Sequence, residues 1–254
     1  MQRRSRVPRA LFSAFVLVSS IACERAPRYD SGEALLAAMH EAYADTWYRT
    51  LSFKQTVTRT DPDGTVQPLE VWAECARIPG NLRIDRADGY SGNGVIYSGD
   101  SLFVFQDGEL AQRQAQTNDL LTLGFDVYAQ PAERTAEVLR TKGFELSKIR
   151  RDTWRDRPVW VVGADSGDTH TRQFWVDAER LLFVRLLEPY PQATERTREF
   201  VFDDYRPLAG GWIAPLVLFL LDGREFMREE YFDVVADTAL PEGIFDPERW
   251  GPVD

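Results

Sequence analysis

Leu36, Met39, Tyr43 and Trp47 fall three or four residues apart, the spacing of one helix face. Asp30-Ser31-Gly32-Glu33 ahead of them supplies an N-cap and a capping-box carboxylate, so an amphipathic helix is predicted over Glu33 to Trp47. From Leu51 the period changes to two. Leu51, Phe53 and Val57 alternate with Ser52, Lys54, Thr56 and Thr58, and after Asp61-Pro62-Asp63-Gly64 the next strand puts Leu69, Val71, Ala73 and Cys75 on one face. Further strands are predicted at Leu82 to Asp85, Gly94 to Tyr97, Leu102 to Phe105 and Glu109 to Arg113, separated by turns rich in Gly, Asp and Asn. The alternation then stops. Leu120, Leu121 and Leu123 follow an Asn118/Asp119 cap, and Pro131 starts a second short helix over Ala132 to Thr141, which Lys142-Gly143 ends. Strands resume at Val159 to Val162, Arg172 to Asp177, Leu181 to Leu187, Arg198 to Tyr205, Trp212 to Leu221 and Phe226 to Val235.

About ten strands with one leading helix and a helical insert predict a mainly β, α+β domain built on one large antiparallel sheet, with no boundary after Asp30. Some strands do not alternate. Ile213 to Leu221, Leu181 to Leu187 and Val159 to Val162 are apolar on both faces, so both faces are covered. A β-sandwich accounts for this, and so does a curved sheet around an apolar cavity.

The N-terminus reads differently. Arg3, Arg4, Arg6 and Arg9 precede an uncharged run from Ala10 to Ala22, 13 residues long, which is short for a membrane-spanning helix of ~20 residues and fits an export signal. Ser20-Ile21-Ala22-Cys23 resembles the lipobox of bacterial lipoproteins, in which the cysteine is acylated and becomes the mature N-terminus. Residues 1–22 are therefore expected to be a signal, Cys23 the lipidation site, 23–30 a tether and 31–254 the domain. The same residues also suit ordinary signal-peptidase cleavage, which would leave Cys23 as a free thiol or a partner for Cys75.

The chain has 254 residues, 7 Trp, 9 Tyr and 15 Phe, an aromatic load that has to be buried. Its formal charge is −10; without the basic head, 26 basic face 40 acidic side chains, a net −14, which disfavours nucleic-acid binding. With His40 and His170 as the two histidines and Cys23 and Cys75 as the two cysteines, no zinc-type spacing occurs, and no metal or cofactor is expected. Asp165-Ser166-Gly167-Asp168-Thr169-His170 holds a nucleophile, acids and a base, yet its composition is that of a hairpin turn and Ser166 lacks a nucleophile elbow. Asp203-Asp204 and Glu229-Glu230 are adjacent strand residues that point to opposite faces, so neither pair shares a site, and a solvated acidic surface explains them. Gly89 to Gly94 is glycine-rich without a following helix and reads as a loop.

Three phrases carry a family likeness. Phe174-Trp175-Val176-Asp177 with Leu181-Leu182-Phe183-Val184-Arg185, then Phe202-Asp203-Asp204-Tyr205-Arg206 with Gly210-Gly211-Trp212-Ile213-Ala214-Pro215, then Leu240-Pro241-Glu242-Gly243-Ile244-Phe245-Asp246-Pro247 resemble the hairpins and terminal phrase of the outer-membrane lipoprotein-sorting proteins. This is the LolA/LolB-like superfamily, which also includes the RseB sensor domain.

The resemblance implies a half-barrel, a strongly curved antiparallel sheet around an apolar cavity and closed by helices. It implies Phe53, Trp72, Phe103, Phe105, Trp160, Phe174 and Trp175 as cavity lining, and Leu36, Met39, Tyr43, Leu120, Leu121 and Leu123 as lid. The function expected is a non-enzymatic carrier or acceptor for acyl chains of lipids or lipoproteins, anchored to a membrane through Cys23. The domain would sit in the periplasm of the bacterial envelope, with the outer membrane preferred over the inner. The alternative is an envelope sensor or protein-interaction module with a filled core and a protein partner.

Overall fold

The computed structural model describes residues 28–252. The export signal and Cys23 lie outside the described residues. The leading helix α1 spans Gly32–Tyr43; Ser31 caps it, its Oγ accepting from the Ala34 N–H at 3.2 Å. The predicted continuation to Trp47 is a turn instead, in which the Trp47 N–H still donates to the Tyr43 carbonyl at 2.8 Å. Leu35, Leu36 and Met39 of α1 are fully buried.

Six strands follow as a meander: β1 (Thr50–Arg59), β2 (Glu70–Arg77), β3 (Asn81–Asp85), β4 (Gly94–Ser98), β5 (Ser101–Gln106) and β6 (Glu109–Ala115). The helical insert comes next, with α2 (Asp119–Gly124), a 3-10 turn at Asp126–Tyr128 and α3 (Ala132–Thr141). Asn118 caps α2, its Oδ1 accepting from the N–H groups of Leu120 and Leu121 at 2.9 and 3.0 Å. The second meander is β7 (Ile149–Trp154), β8 (Arg157–Val162), β9 (Gln173–Asp177), β10 (Phe183–Tyr190), β11 (Ala193–Asp203), β12 (Arg206–Leu208), β13 (Gly211–Ile213), β14 (Leu216–Leu221) and β15 (Arg224–Ala236). Strand β7, Ile-Arg-Arg-Asp-Thr-Trp, was not expected. The single strand predicted over Trp212 to Leu221 breaks at Ala214-Pro215: proline has no N–H to give a ladder, and β13 leaves to pair with β12 in a small second sheet.

Thirteen strands form one antiparallel sheet in the order β6-β5-β4-β3-β2-β1-β15-β14-β11-β10-β9-β8-β7. The two meanders join where the first strand meets the last, Leu51 standing opposite Ala236 and Val57 opposite Glu229. The sheet is not closed; β6 and β7 are its edges.

All three helices and one sheet face share the main core, in which Leu36, Met39, Leu123 and Leu139 pack with Leu51, Val162, Phe174, Phe183 and Val217. The other face is covered in two places. Cys75, Ile96, Phe103 and Phe105 pack under Ile244 and Phe245 of the C-terminal segment, while Val159, Val161, Trp175 and Val184 form a patch flanked by Trp154 and Tyr205. Runs such as Val159 to Val162 are therefore apolar on both sides because each side of the large sheet meets its own cluster, without a second sheet packed face to face on it. The face carrying Val71, Ala73 and Cys75 is the outer one; Leu69 lies before β2 and is exposed. The opposite face of β2 presents Trp72, Glu74 and Ala76 to the helices.

The C-terminal segment is clasped by polar chemistry as well. Arg83, nearly inaccessible, forms a two-pronged pair with Asp85 at 2.8 and 3.0 Å, donates to the Gly251 carbonyl at 2.7 Å and lies under the Trp250 ring, 4.4 Å from its centroid. Gly94 makes room for this closure: a Cβ there would come 2.1 Å from the Ile84 carbonyl oxygen and 2.7 Å from the Trp250 ring. Gly94→Ala is expected to cost about 1–3 kcal/mol. A lower urea midpoint at unchanged slope checks this, and an unshifted midpoint would show that the clasp yields freely.

Candidate functional site

Where β1, β2 and β3 of the first meander meet β15, β14 and β11 of the second, the inner face of the sheet does not fill completely. A chamber of about 230 Å³ remains between it and the helical insert. Its floor is Leu51, Phe53, Trp72, Ala76, Leu82 and Ile84 from one side of the seam and Phe202, Phe219, Met227 and Tyr231 from the other. Leu120, Leu121 and Phe125, at and just beyond α2, lie over it. Phe53 stacks on Tyr231, with ring centroids 4.3 Å apart and planes 28° apart, and this contact crosses the β1/β15 seam. The size lies a little below the roughly 300–1,000 Å³ of pockets for drug-sized ligands and suits a narrow apolar segment.

Two carboxyl groups interrupt the apolar wall. Glu74 on β2 and Glu229 on β15 both line the chamber. Burial pushes the Glu229 carboxyl up to about 8, against a smaller opposing pull from Arg59 and the nearby Gln55 amide. Burial, together with the negative charge that Glu229 would carry, pushes Glu74 well above the carboxylate range. Some of the Glu74 side chain remains reachable from inside the chamber, so its burial is from bulk water rather than from the chamber. Burial thus favours the neutral form of both acids. Beside them Gln55 is fully buried, and its amide faces the Glu229 carboxyl without a hydrogen bond of good geometry to it or to any other group. The pair Glu229-Glu230 does split across the strand, but Glu229 faces inward, so the solvated-surface reading holds for Glu230 alone; lining a concave inner face takes Glu229 out of water.

A wider groove of about 770 Å³ adjoins the chamber and shares Asn118, Leu120 and Phe219 with it. Its rim is ionic. Asp119 of α2 pairs with Lys142 and Arg172; Arg172 also reaches Glu188 on β10 at 2.6 Å, and Glu188 accepts from the Arg198 Nε on β11 at 2.9 Å. Arg172 Nη1 further donates to the Lys142 carbonyl at 3.0 Å. These bonds tie both ends of the insert to the second meander at the side where the chamber opens. Asp126, buried in the 3-10 turn, does the same toward the first meander: its Oδ1 accepts from the Gly80 N–H at 3.0 Å, and burial pushes its carboxyl up to about 7.

The residues singled out from the sequence are distributed as follows. Phe53 and Trp72 line the chamber, as do Leu120 and Leu121 of the insert. Phe103 and Phe105 do not: strand alternation turns them to the outer face, under Ile244, Phe245 and Trp250. Trp175 is likewise outside, its Nε1 donating to Gln173 at 3.1 Å and its ring under the Arg185 guanidinium. Trp160 and Phe174 are inner-face core away from the chamber, Trp160 against Tyr29 and Phe174 against Phe144. Leu36, Met39 and Leu123 are fully buried in the core and do not border it, and the Tyr43 hydroxyl donates to the Arg180 carbonyl at 2.6 Å. Lining residues that sequence reasoning passed over include Glu74, Tyr231, Met227 and Glu229. Trp72-x-Glu74-x-Ala76 was the available signal, a period-two face holding a large ring and an acid.

The Asp165 to His170 stretch forms a turn, with Asp168 accepting from the N–H groups of His170 and Thr171 at 2.8 and 2.9 Å. Among the described residues no group of three or more His, Cys, Asp or Glu is placed to hold a metal, and no helix is long and apolar enough to cross a membrane. Cys75 is buried, and its thiol is pushed up to about 12 by burial.

No family sequence model matches the chain, and no curated protein matches it significantly. Solved structures share its fold. A LolA superfamily protein from Nitrosomonas europaea is 14% identical, with a TM-score of 0.53 over 83% of this chain and 97% of that one. A DUF1329 family protein from Desulfovibrio piger is 10% identical, with a TM-score of 0.56 over 87% and 98%. An outer membrane lipoprotein-sorting protein domain from Vibrio parahaemolyticus is 12% identical, with a TM-score of 0.53 over 84% and 95%. The fold is therefore of the LolA-like kind, across nearly the whole of each of these structures.

Proposed function

We propose that this protein is a non-enzymatic carrier or acceptor that holds acyl chains of lipids or lipoproteins in the chamber between its helical insert and the β1/β15 seam. The observation that carries the reading is the chamber itself, a largely apolar unfilled space on the inner sheet face, in a fold shared with a lipoprotein-sorting domain. Transfer then needs no cofactor: a chain moves between cavities, or between cavity and membrane, down a difference in apolar burial of ~0.8 kcal/mol per methylene. In this reading the sheet is a half-barrel with the helices closing its concave side, and Leu120 and Leu121 are the part of the lid that touches cargo. The export signal and an acylated Cys23 place the domain on a tether in the periplasm.

Native mass spectrometry of the exported domain, released gently from membranes, tests this. Acyl species that leave on unfolding support the carrier. A well-folded domain that stays empty after incubation with lipids and lipoproteins overturns it. Ala76→Phe gives the matched control, since Ala76 lines the chamber and its side chain would grow into the space. The variant is expected to fold with a urea midpoint close to that of the parent and to lose bound acyl species; full retention would show that cargo sits elsewhere.

A further inference from the structure

The carrier reading explains the apolar wall but not why two acids and an amide are placed in it. Glu74, Gln55 and Glu229 stand on three neighbouring strands and on one face of the sheet. Glu74 is opposite Phe53, Gln55 opposite both Trp72 and Tyr231, and Glu229 opposite Val57. Glu74 and Glu229 line the chamber with Phe53, Trp72 and Tyr231, and the fully buried Gln55 lies behind that floor, between the two acids. Burying polar groups without partners costs roughly 1–3 kcal/mol each, and fully apolar residues of like volume would avoid that cost. The set is also rich in acceptors: once a carboxyl ionises, it and the Gln55 Oε1 offer lone pairs, and the Gln55 Nε2 is the one fixed donor.

The cations nearest these acids already have partners, and the one that acts on Glu229, Arg59, does so weakly against its burial. Arg59 on β1 is engaged by Glu70 and lies over the Trp72 ring, Arg86 lies over the same ring, and Lys142 and Arg172 are committed to Asp119 at the rim. Tyr231 and Tyr97 are the other titratable groups nearby, and α2 presents Asn118, Leu120 and Leu121.

We propose that the chamber selects apolar chains that carry a primary amine, the ammonium group being bound by Glu74 and Glu229, with the Gln55 amide behind them. An ammonium brings three N–H donors and one positive charge, which matches an acceptor-bearing wall with no Lys or Arg among its lining residues. The charge balances: a neutral acid in the chamber gives its proton to solvent as the ammonium enters, and one carboxylate faces one cation. Because binding releases that proton, affinity for an amine rises with pH toward 8, by up to tenfold per unit, roughly the limit for one proton. Affinity for an uncharged chain does not rise in this way. The proposal rests on the carrier reading for the chamber and adds the head group.

Isothermal titration of the exported domain with decylamine, decanol and decanoate at pH 6, 7 and 8 separates the two ideas. Decylamine is expected to bind at least about tenfold more tightly than decanol at pH 8, a gap the proton linkage allows, with decanoate weakest. The amine preference should narrow at pH 6 and proton release should show in buffers of different ionisation heat. Glu229→Gln and Glu74→Gln, each near-isosteric, should reduce that preference, read as the ratio of amine to alcohol affinity within each variant. Equal binding of amine and alcohol, or a preference that survives in both variants, overturns the amine assignment and leaves the carrier standing. Failure of all three ligands to bind overturns the carrier reading itself. Competition by lysophosphatidylethanolamine or by S-decylcysteine amide supports the assignment and tells a lipid head-group amine from an α-amino group.

Discussion

Tyr128→Ala is expected to lower the unfolding free energy by about 4–8 kcal/mol, enough to leave the domain partly unfolded at 25 °C, since small domains have only about 5–15 kcal/mol in total. Tyr128 is fully buried at the end of the insert's 3-10 turn. Its ring stacks on Trp47, with centroids 4.0 Å apart, and meets Tyr43 edge-on at 5.4 Å. Its hydroxyl accepts from the Phe183 N–H at 2.9 Å, where β10 begins. One side chain therefore joins the segment after α1, the insert and the second meander. Truncation removes the ring's burial, worth about 3–5 kcal/mol, and leaves a buried amide unpaired, worth about 1–3 more. Tyr128→Phe separates the two contributions and should show the smaller one. Urea denaturation followed by far-ultraviolet circular dichroism reads both, and a loss below about 1 kcal/mol in the Ala variant would mean that the insert is held by other contacts.

Glu229→Gln is expected to stabilise the protein at pH 8, by several kcal/mol and on the order of 3. The sign follows from linkage. In the unfolded chain the carboxyl titrates near its ordinary value of 4.5, whereas in the fold it holds its proton to about 8. Between those values the native state carries the extra proton, so stability falls as pH rises, by up to about 1.4 kcal/mol per unit, and falls no further above 8. Asp126, raised from 3.8 to about 7, adds a slope of the same sign over a narrower window. The parent should therefore be most stable on the acid side of neutrality. The Gln variant should lose Glu229's share of the slope across the whole range from about pH 5 to 8, while the shares of Asp126 and Glu74 remain. Urea midpoints at pH 5, 6, 7 and 8 measure this, and parallel curves for parent and variant would mean that Glu229 is ionised and solvated in the fold.

Most strands and all three helices were legible from local pattern. Asn118 as a cap, Gly143 after α3 and the period-two runs each act within a few residues, and the structure uses them as written. Strand β7 was not legible because it is an edge strand with Arg150, Arg151 and Asp152 at its centre, and it needs only one partner. Which face was inner was also beyond local pattern. On β2 both faces are covered, one by helices and the other by Ile244 and Phe245, so Val71, Ala73 and Cys75 looked like the core although Trp72, Glu74 and Ala76 meet the chamber. The same ambiguity sent Phe103, Phe105 and Trp175 to the wrong side. Glu229 resembled any surface acid, because what takes it out of water is β1 and β2, which lie far away along the chain.

The seam between β1 and β15 has a kinetic meaning. Each meander can grow by pairing neighbours in sequence, but the join of Leu51 with Ala236 waits for a loop that includes nearly the whole domain. The chamber straddles that join and so has no existence in a chain that has folded only one half. A ligand held there has nothing to bind until the last long-range step is complete, and its influence falls on the lifetime of the folded protein rather than on how quickly it forms. On the proposed carrier function, the domain is thus at its most short-lived without a chain in the chamber, and loading is what makes it last.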